Sequence, residues 1–173
     1  MVYQLEHPGR FIGLGKTSSD AWITIDIHDH QTNQTFLLSA DLDNLFPIAV
    51  TDWIEGLEYE LEHADPYLII RGNHGNEDFA LYRAPLPTAE TRSNPEAWDT
   101  LWIPKKGALF SDYEVLENHW VIEYSEEGCG RYLIAEPNPA AFEIRQEIAL
   151  STSIHNTHRD TNPVSDCHKT SQY

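Results

Sequence analysis

Two histidines at alternate positions, His28 and His30, come closest in this sequence to a recognisable chemical site. On a β-strand, side chains two residues apart project from the same face, so the two imidazoles could bind one divalent metal ion. A third ligand would have to come from elsewhere, and Asp26 lies two residues earlier on the same face. The alternative is that both histidines are solvent-exposed residues at the end of a hairpin strand.

A second group of metal-binding and proton-binding side chains lies between residues 63 and 78. Its members are His63, Asp65, His74, Glu77 and Asp78. The apolar run 67–71 between them predicts a five-residue strand, which is about 17 Å long. The two halves of the group would then lie at opposite ends of a sheet, so the sequence favours two polar turns over a joint site.

The sequence motifs give little support for covalent catalysis or for phosphate binding. The sequence holds no Gly-x-Ser-x-Gly nucleophile turn. Cys129 has Glu126 and Glu127 as near neighbours, which disfavour the thiolate that a reactive cysteine needs. The run Gly-Leu-Gly-Lys-Thr at 13–17 is not a phosphate loop, because the pattern needs glycine at position 10 and Arg10 stands there.

The charge balance is the strongest compositional feature. The sequence holds 28 acidic and 11 basic residues, which gives a formal net charge of −17 at pH 7. This field opposes direct binding to nucleic acid or to an anionic membrane, and it attracts a basic protein. Masking of a basic partner, mimicry of nucleic acid and solubility alone remain three open explanations.

The candidate partner-binding residues lie on one short segment. They are Asp52, Glu55, Glu58, Glu60 and Glu62. The last three alternate with apolar residues, so they should share the solvent face of a strand. Like charges two residues apart repel and do little for a sheet, which favours a binding role. The alternative is an edge strand that its charges guard against aggregation.

The pattern predicts an α+β fold with a mainly antiparallel sheet. Apolar runs predict a hairpin over 22–40, a three-stranded meander over 57–84 and a second hairpin over 120–135. Three short helices are expected to begin near Pro47, at Asn94–Pro95 and at Asn138–Pro139, the last running to about residue 150. Residues 1–150 are predicted to form one domain. The polar residues 151–173 are predicted to form a flexible tail.

The first functional hypothesis is a non-enzymatic acidic binding protein that masks a basic partner such as a toxin or nuclease. In composition the chain is similar to immunity proteins and other inhibitors. The alternative is a metal-dependent enzyme or a small-ligand-binding β-rich domain that uses His28 and His30. No cofactor is expected beyond that possible divalent metal. The N-terminus lacks the features of a signal peptide, so a cytoplasmic location is predicted. The partner, the oligomeric state and the strand order stay open.

Overall fold

The computed structural model describes residues 9–41 and 46–149, and their regular structure is β-strand apart from one turn of 3₁₀-helix. The strands are β1 (Phe11–Lys16), β2 (Trp22–His28), β3 (Asn33–Ser39), β4 (Ile48–Ala49), β5 (Tyr59–Ala64), β6 (Tyr67–Gly72), β7 (Ala80–Pro85), β8 (Asp99–Trp102), β9 (Ala108–Val115), β10 (Trp120–Glu126), β11 (Cys129–Ala135) and β12 (Ile144–Ala149). The 3₁₀ turn, Pro95–Ala97, precedes β8. Within these residues, no helix is long and apolar enough to cross a membrane.

Each group of four consecutive strands forms its own antiparallel sheet, in which neighbours in sequence are neighbours in space. Sheet A has the order β1-β2-β3-β4, sheet B the order β5-β6-β7-β8, and sheet C the order β12-β11-β10-β9. The chain divides into two compact units. The first, Met1–Ile103, contains sheets A and B, and the second, Pro104–Tyr173, contains sheet C.

The two faces of sheet A differ because side chains alternate along β2. Ile25 and Ile27 are buried on one face. Asp26 belongs to the other face and lies opposite Thr35 of β3. Because successive side chains of a strand point to opposite sides, the same strand supplies an apolar face and a face with polar groups.

Sheet B shows the same alternation where the chain enters its first strand, β5. Leu57 and Tyr59 are buried, whereas Glu58 and Glu60 are exposed. The next strand, β6, is buried on both faces at residues 68–70, and it pairs with β5 on one side and β7 on the other. Strand β5 forms one edge of sheet B, as the charge pattern allowed.

A cluster of buried side chains fills the first unit between sheets A and B. Its members are Leu37, Val50, Leu57, Tyr59, Leu68, Ile70, Ala80, Tyr82, Ala84 and Trp98. The ring of Trp98 lies 5.8 Å from that of Tyr59 and 5.6 Å from that of Tyr82, centroid to centroid. Aromatic pairs at these separations stabilise a core beyond the area they bury.

Hydrogen bonds from Asn33 join sheet A to the start of sheet B. The Asn33 amide donates to the backbone oxygen of Tyr59 at 2.7 Å and accepts from its backbone nitrogen, also at 2.7 Å. The Tyr59 hydroxyl also contacts sheet A and the loop after it. It accepts a hydrogen bond from the backbone nitrogen of Thr35 at 2.9 Å and lies 3.1 Å from the Thr51 hydroxyl. One residue of β5 thus belongs to the hydrogen-bonding pattern of both sheets.

Sheet C supplies the buried residues of the second unit. Phe110, Trp120, Ile122 and Leu133 are each less than 5% exposed. Its edge strand β12 is exposed along its whole length. This strand is tied to the sheet by ladder pairing with β11 and by the Tyr124 hydroxyl, which donates to the Glu147 carboxylate at 2.6 Å.

The three predicted helices are wrong. The segment that follows Pro47 holds the short strand β4, which pairs with β3. At Asn94 the expected cap is present, because its side chain accepts from the Glu96 backbone nitrogen. The helix nevertheless ends after one 3₁₀ turn and leads into β8.

The third helix start behaves in the same way. The Asn138 side chain accepts from the backbone nitrogen of Ala140 at 2.9 Å, but the chain then enters β12. Side chains that cap a helix also stabilise tight turns. Here the segment after each turn forms a strand instead of a helix, because it can pair with the free edge of a sheet: β8 pairs with β7, and β12 pairs with β11. Tertiary pairing therefore overrode the local signal.

The α+β class is corrected to an all-β arrangement for the described residues. The predicted hairpins are confirmed, because β2 pairs with β3, β5 to β7 form a meander and β10 pairs with β11. Repeated four-stranded antiparallel sheets are the units from which β-propellers are built. One domain over residues 1–150 stays a prediction, and the predicted tail, 151–173, lies outside the described residues.

The substitution Asn33→Ala should lower the free energy of unfolding by about 1–3 kcal/mol, because it leaves the Tyr59 backbone groups without their partners. Urea unfolding followed by tryptophan fluorescence measures the loss. Asn118→Ala, at an exposed position between β9 and β10, is the matched control and should change stability far less. Equal losses in the two variants would contradict a linking role for Asn33.

Candidate functional site

The first unit contains a groove of about 440 Å³ between sheets A and B. Its lining residues come from both sheets: Thr24, Asp26, His28, Asp29, Thr32, Asn33 and Thr35 from sheet A and its β2–β3 turn, and Glu58, Tyr59, Glu60, Leu61, Arg71 and Phe79 from sheet B and its flanking loops. A cavity of this size falls within the range of small-ligand sites in proteins. Four of the lining residues are carboxylic acids, which makes the groove acidic.

On the sheet A side, Asp26 is held by a hydrogen bond across the hairpin. The Thr35 hydroxyl donates to its carboxylate at 2.6 Å. Burial raises the pKa of Asp26, while the Thr35 hydrogen bond and the nearby His28 act in the opposite direction. A carboxylate that is costly to ionise would gain from a cation placed beside it.

On the sheet B side, Arg71 is fixed by two contacts. Its guanidinium lies 3.5 Å from the Glu60 carboxylate, which sits opposite it on β5. The guanidinium carbon also lies 4.2 Å from the centre of the Phe79 ring, a cation–π contact. These contacts hold the one arginine of the groove against its wall.

The structure places His28 and His30 differently. His28 is the last residue of β2, and its ring stacks on Phe11 with centroids 5.8 Å apart. His30 lies past the end of the strand in the exposed turn, so the expected alternation does not extend to it. Across residues 9–41 and 46–149, no group of three or more histidine, cysteine or acidic side chains is placed to hold a metal ion.

Of the five predicted partner-binding acids, Glu58 and Glu60 line the groove. Glu62 has a different role, since its carboxylate accepts from the Ser18 backbone nitrogen at 2.8 Å. Asp52 forms an ion pair with Arg92. Glu55 accepts a hydrogen bond from the indole of Trp53 at 2.9 Å. The predicted set is therefore split among a groove wall, a link between sheets and surface contacts.

A serine–histidine contact also links the two sheets, and the sequence analysis missed it. The Ser19 hydroxyl, in the β1–β2 turn, lies 2.8 Å from Nδ1 of His63 on β5. Ser19 also lies 2.9 Å from the Thr17 hydroxyl and accepts from the Ala21 backbone nitrogen at 3.3 Å, as a turn-stabilising serine does. Residues 19 and 63 are 44 apart in sequence, so no local motif could signal the contact.

His63 is buried among these groups. It is 9% exposed, its ring packs edge-on against Trp22 at 6.3 Å, and its Nε2 atom is buried with no hydrogen-bond partner. Burial lowers the pKa of His63, and the nearby Asp65 offsets part of this effect. The neutral imidazole is therefore the form that the folded protein favours.

Comparison with known proteins assigns the fold. The family model described as prolyl oligopeptidase, N-terminal β-propeller domain, matches residues 1–161. Prolyl endopeptidase-like proteins from Homo sapiens and Macaca fascicularis are 26% identical over 121 residues, which are 69% of this chain and 16% of each relative. The chain thus spans about a sixth of the curated relatives it matches.

Solved structures agree with that match. Oligopeptidase B from Leishmania major superposes with a TM-score of 0.73 at 18% identity, over 88% of this chain and 22% of that one. Oligopeptidase B from Trypanosoma brucei with covalently bound antipain gives 0.71 at 16% identity, with the same coverage. The apo form of prolyl oligopeptidase B from Galerina marginata gives 0.67 at 13% identity over 87% of this chain and 21% of that one.

These matches overturn the hypothesis of an immunity-like inhibitor that masks a toxin or nuclease. That hypothesis rested on net charge and composition, which describe solubility and association but not fold. The basic protein partner, the absence of nucleic-acid and membrane binding, the possible divalent metal and the cytoplasmic location stay predictions.

The His63 environment predicts a pH-dependent stability. Because burial lowers the pKa of His63 below its ordinary value of 6.5, the unfolded chain takes up the proton first as pH falls. The free energy of unfolding should therefore fall as pH drops below about 6.5 and level off below the folded-state pKa. Urea unfolding at a series of pH values measures the slope.

His63→Gln should flatten this slope, because glutamine does not titrate but can still accept a hydrogen bond from Ser19. The matched control is His30→Gln, which removes an exposed histidine from the turn after β2. It should keep the slope of the parent protein. An unchanged slope in His63→Gln would show that another group carries the pH dependence.

Proposed function

The chain belongs to the family of N-terminal β-propeller domains of prolyl oligopeptidases, and we propose that it is the non-catalytic propeller part of a peptidase of that kind. The observation that carries the proposal is the succession of three four-stranded antiparallel sheets over residues 11–149, within the segment that the family model matches. In this role the propeller binds and positions peptides, while another part of the protein breaks the peptide bond.

The described residues support a non-catalytic role. A serine nucleophile needs an accessible hydroxyl beside a histidine that can take its proton and pass it on. Ser19 meets His63 through Nδ1, and the remaining ring nitrogen, Nε2, is buried without a partner that could orient the ring. The pair stabilises the junction of sheets A and B, as does the neighbouring bond from Ser18 to Glu62.

The proposal is tested on the protein as its own cells make it. The protein is precipitated from lysate with an antibody against this chain, and the precipitate is assayed with fluorogenic peptides. Peptidase activity that co-precipitates and is abolished by antipain, the inhibitor bound in the Trypanosoma brucei structure, supports the proposal. Recovery of the protein without peptidase activity would contradict it.

Ser19→Ala separates the proposed role from catalysis by this chain. In the same precipitation assay, the substitution should leave kcat within about twofold of the parent value, because Ser19 serves the β1–β2 turn and the link to His63. Stability should fall by about 0.5–1.5 kcal/mol through the lost hydrogen bonds. A loss of kcat of a hundredfold or more in folded protein would make Ser19 a catalytic residue and overturn the non-catalytic assignment.

A further inference from the structure

Two polar links join sheets A and B, and they lie near opposite ends of β5. At the start of the strand, the Asn33 side chain bonds to the backbone of Tyr59. Near its end, the β1–β2 turn (residues 17–21) meets Glu62 and His63. Residues 59 and 63 of a strand are about 13 Å apart. The two links can therefore respond separately to a change of conditions.

The groups that form the Asn33 link do not change charge between about pH 5 and pH 8. An amide side chain does not titrate, and burial raises the pKa of the Tyr59 hydroxyl above its ordinary value of 10.0. The Thr35 backbone nitrogen and the Thr51 hydroxyl, which meet that hydroxyl, do not titrate either. This link should stay closed in mild acid.

The link at the β1–β2 turn, in contrast, is held by two groups that titrate. The Glu62 carboxylate accepts from the Ser18 backbone nitrogen at 2.8 Å, and Nδ1 of His63 lies 2.8 Å from the Ser19 hydroxyl. Successive side chains of a strand project to opposite faces, so β5 holds two consecutive residues of the turn from both of its faces. Both contacts depend on the protonation state of a β5 side chain.

His63 is the group that responds near neutral pH. It is 9% exposed, and its Nε2 atom has no hydrogen-bond partner in the part of the chain that the structure describes. In the protonated form both ring nitrogens donate, so a closed turn would enclose a charged N–H group without an acceptor. Water can solvate the cation once the turn moves away. Protonation therefore favours an open turn.

The surroundings of His63 do not remove this cost. The side chains around it are Trp22 on β2, Leu68 on β6, the Lys16–Asp20 ion pair of the turn, and the acids Glu62 and Asp65. The ion pair is balanced within itself, and Glu62 is engaged by Ser18. Asp65 attracts the imidazolium, but burial lowers the pKa of His63 by more than Asp65 raises it.

We propose that the β1–β2 turn is an acid-released clasp: when His63 takes up a proton, residues 17–21 leave β5, while Asn33 and the shared core hold sheets A and B together. The closed clasp is the form at neutral pH. Its release uncovers the end of β5, which is an edge strand of sheet B. The inference rests on this junction alone and is independent of the proposed function.

The test is amide hydrogen exchange of the 173-residue chain, followed by NMR at about pH 7.5 and about pH 5.5, on either side of the ordinary histidine pKa. The Ser18 N–H reports on the clasp directly, because it bonds to Glu62. Its protection factor, corrected for the intrinsic effect of pH on exchange, should fall about five- to tenfold, because His63 in an open turn regains its ordinary pKa of 6.5.

The Tyr59 N–H, which bonds to Asn33, is the internal control. Its protection factor should change by less than about twofold, because its link does not titrate in this range. Unchanged protection at Ser18 would overturn the proposal. An equal loss at Ser18 and Tyr59 would also overturn it, because the acid effect would then be unfolding of the whole unit and not release of a clasp.

Three variants assign the response to one group. His63→Gln should abolish it, because glutamine does not titrate but can still accept from Ser19. His30→Gln, the matched control, removes an exposed histidine of the same unit and should keep it. Glu62→Gln should keep it as well, since an amide oxygen can still accept from Ser18. A response that survives in His63→Gln, or that is lost in Glu62→Gln, would contradict the role of His63.

Discussion

The first unit depends on the hydrogen bonds by which Asn33 joins sheet A to Tyr59 of sheet B. An asparagine amide has a donor and an acceptor in the same arrangement as a peptide group, so Asn33 pairs with the backbone of β5 as a neighbouring strand would. The buried Tyr59 hydroxyl binds back to the Thr35 backbone. Buried polar groups are tolerated only when they are paired, and here the pairing fixes the spacing of two sheets.

The groove is a consequence of that spacing. Where the facing side chains are apolar, as at Leu37 and Tyr59, sheets A and B share one core cluster. Where they are polar, as at Asp26 and Glu60, they line an open cavity. Burying these carboxylates would be costly, since each would lose its water and like charges that approach one another repel. The cavity is therefore a place where close packing of the two sheets is unfavourable.

The sequence predicted the strands better than it predicted what joins them. Alternation in β2 and β5 is a property of neighbouring residues, so the β2–β3 hairpin and the β5–β7 meander could be anticipated. The helices failed because a cap such as Asn94 is equally suited to a turn, and the open edge of β7 decided the outcome. Glu58 and Glu60 were identified as a charged face. The opposite wall and the Ser19–His63 contact could not be, because they require the relative placement of two sheets.

Because the sequence does not show where each side chain lies in the fold, the net charge led to a wrong functional hypothesis. A total of −17 treats every carboxylate alike, yet the structure gives them different tasks. Asp52 pairs with Arg92, Glu60 pairs with Arg71, and Glu62 accepts a hydrogen bond from the Ser18 backbone nitrogen. A carboxylate that already has a partner contributes little to attracting another molecule, because its charge is balanced locally. Which carboxylates can direct binding therefore depends on their positions in the structure and not on composition.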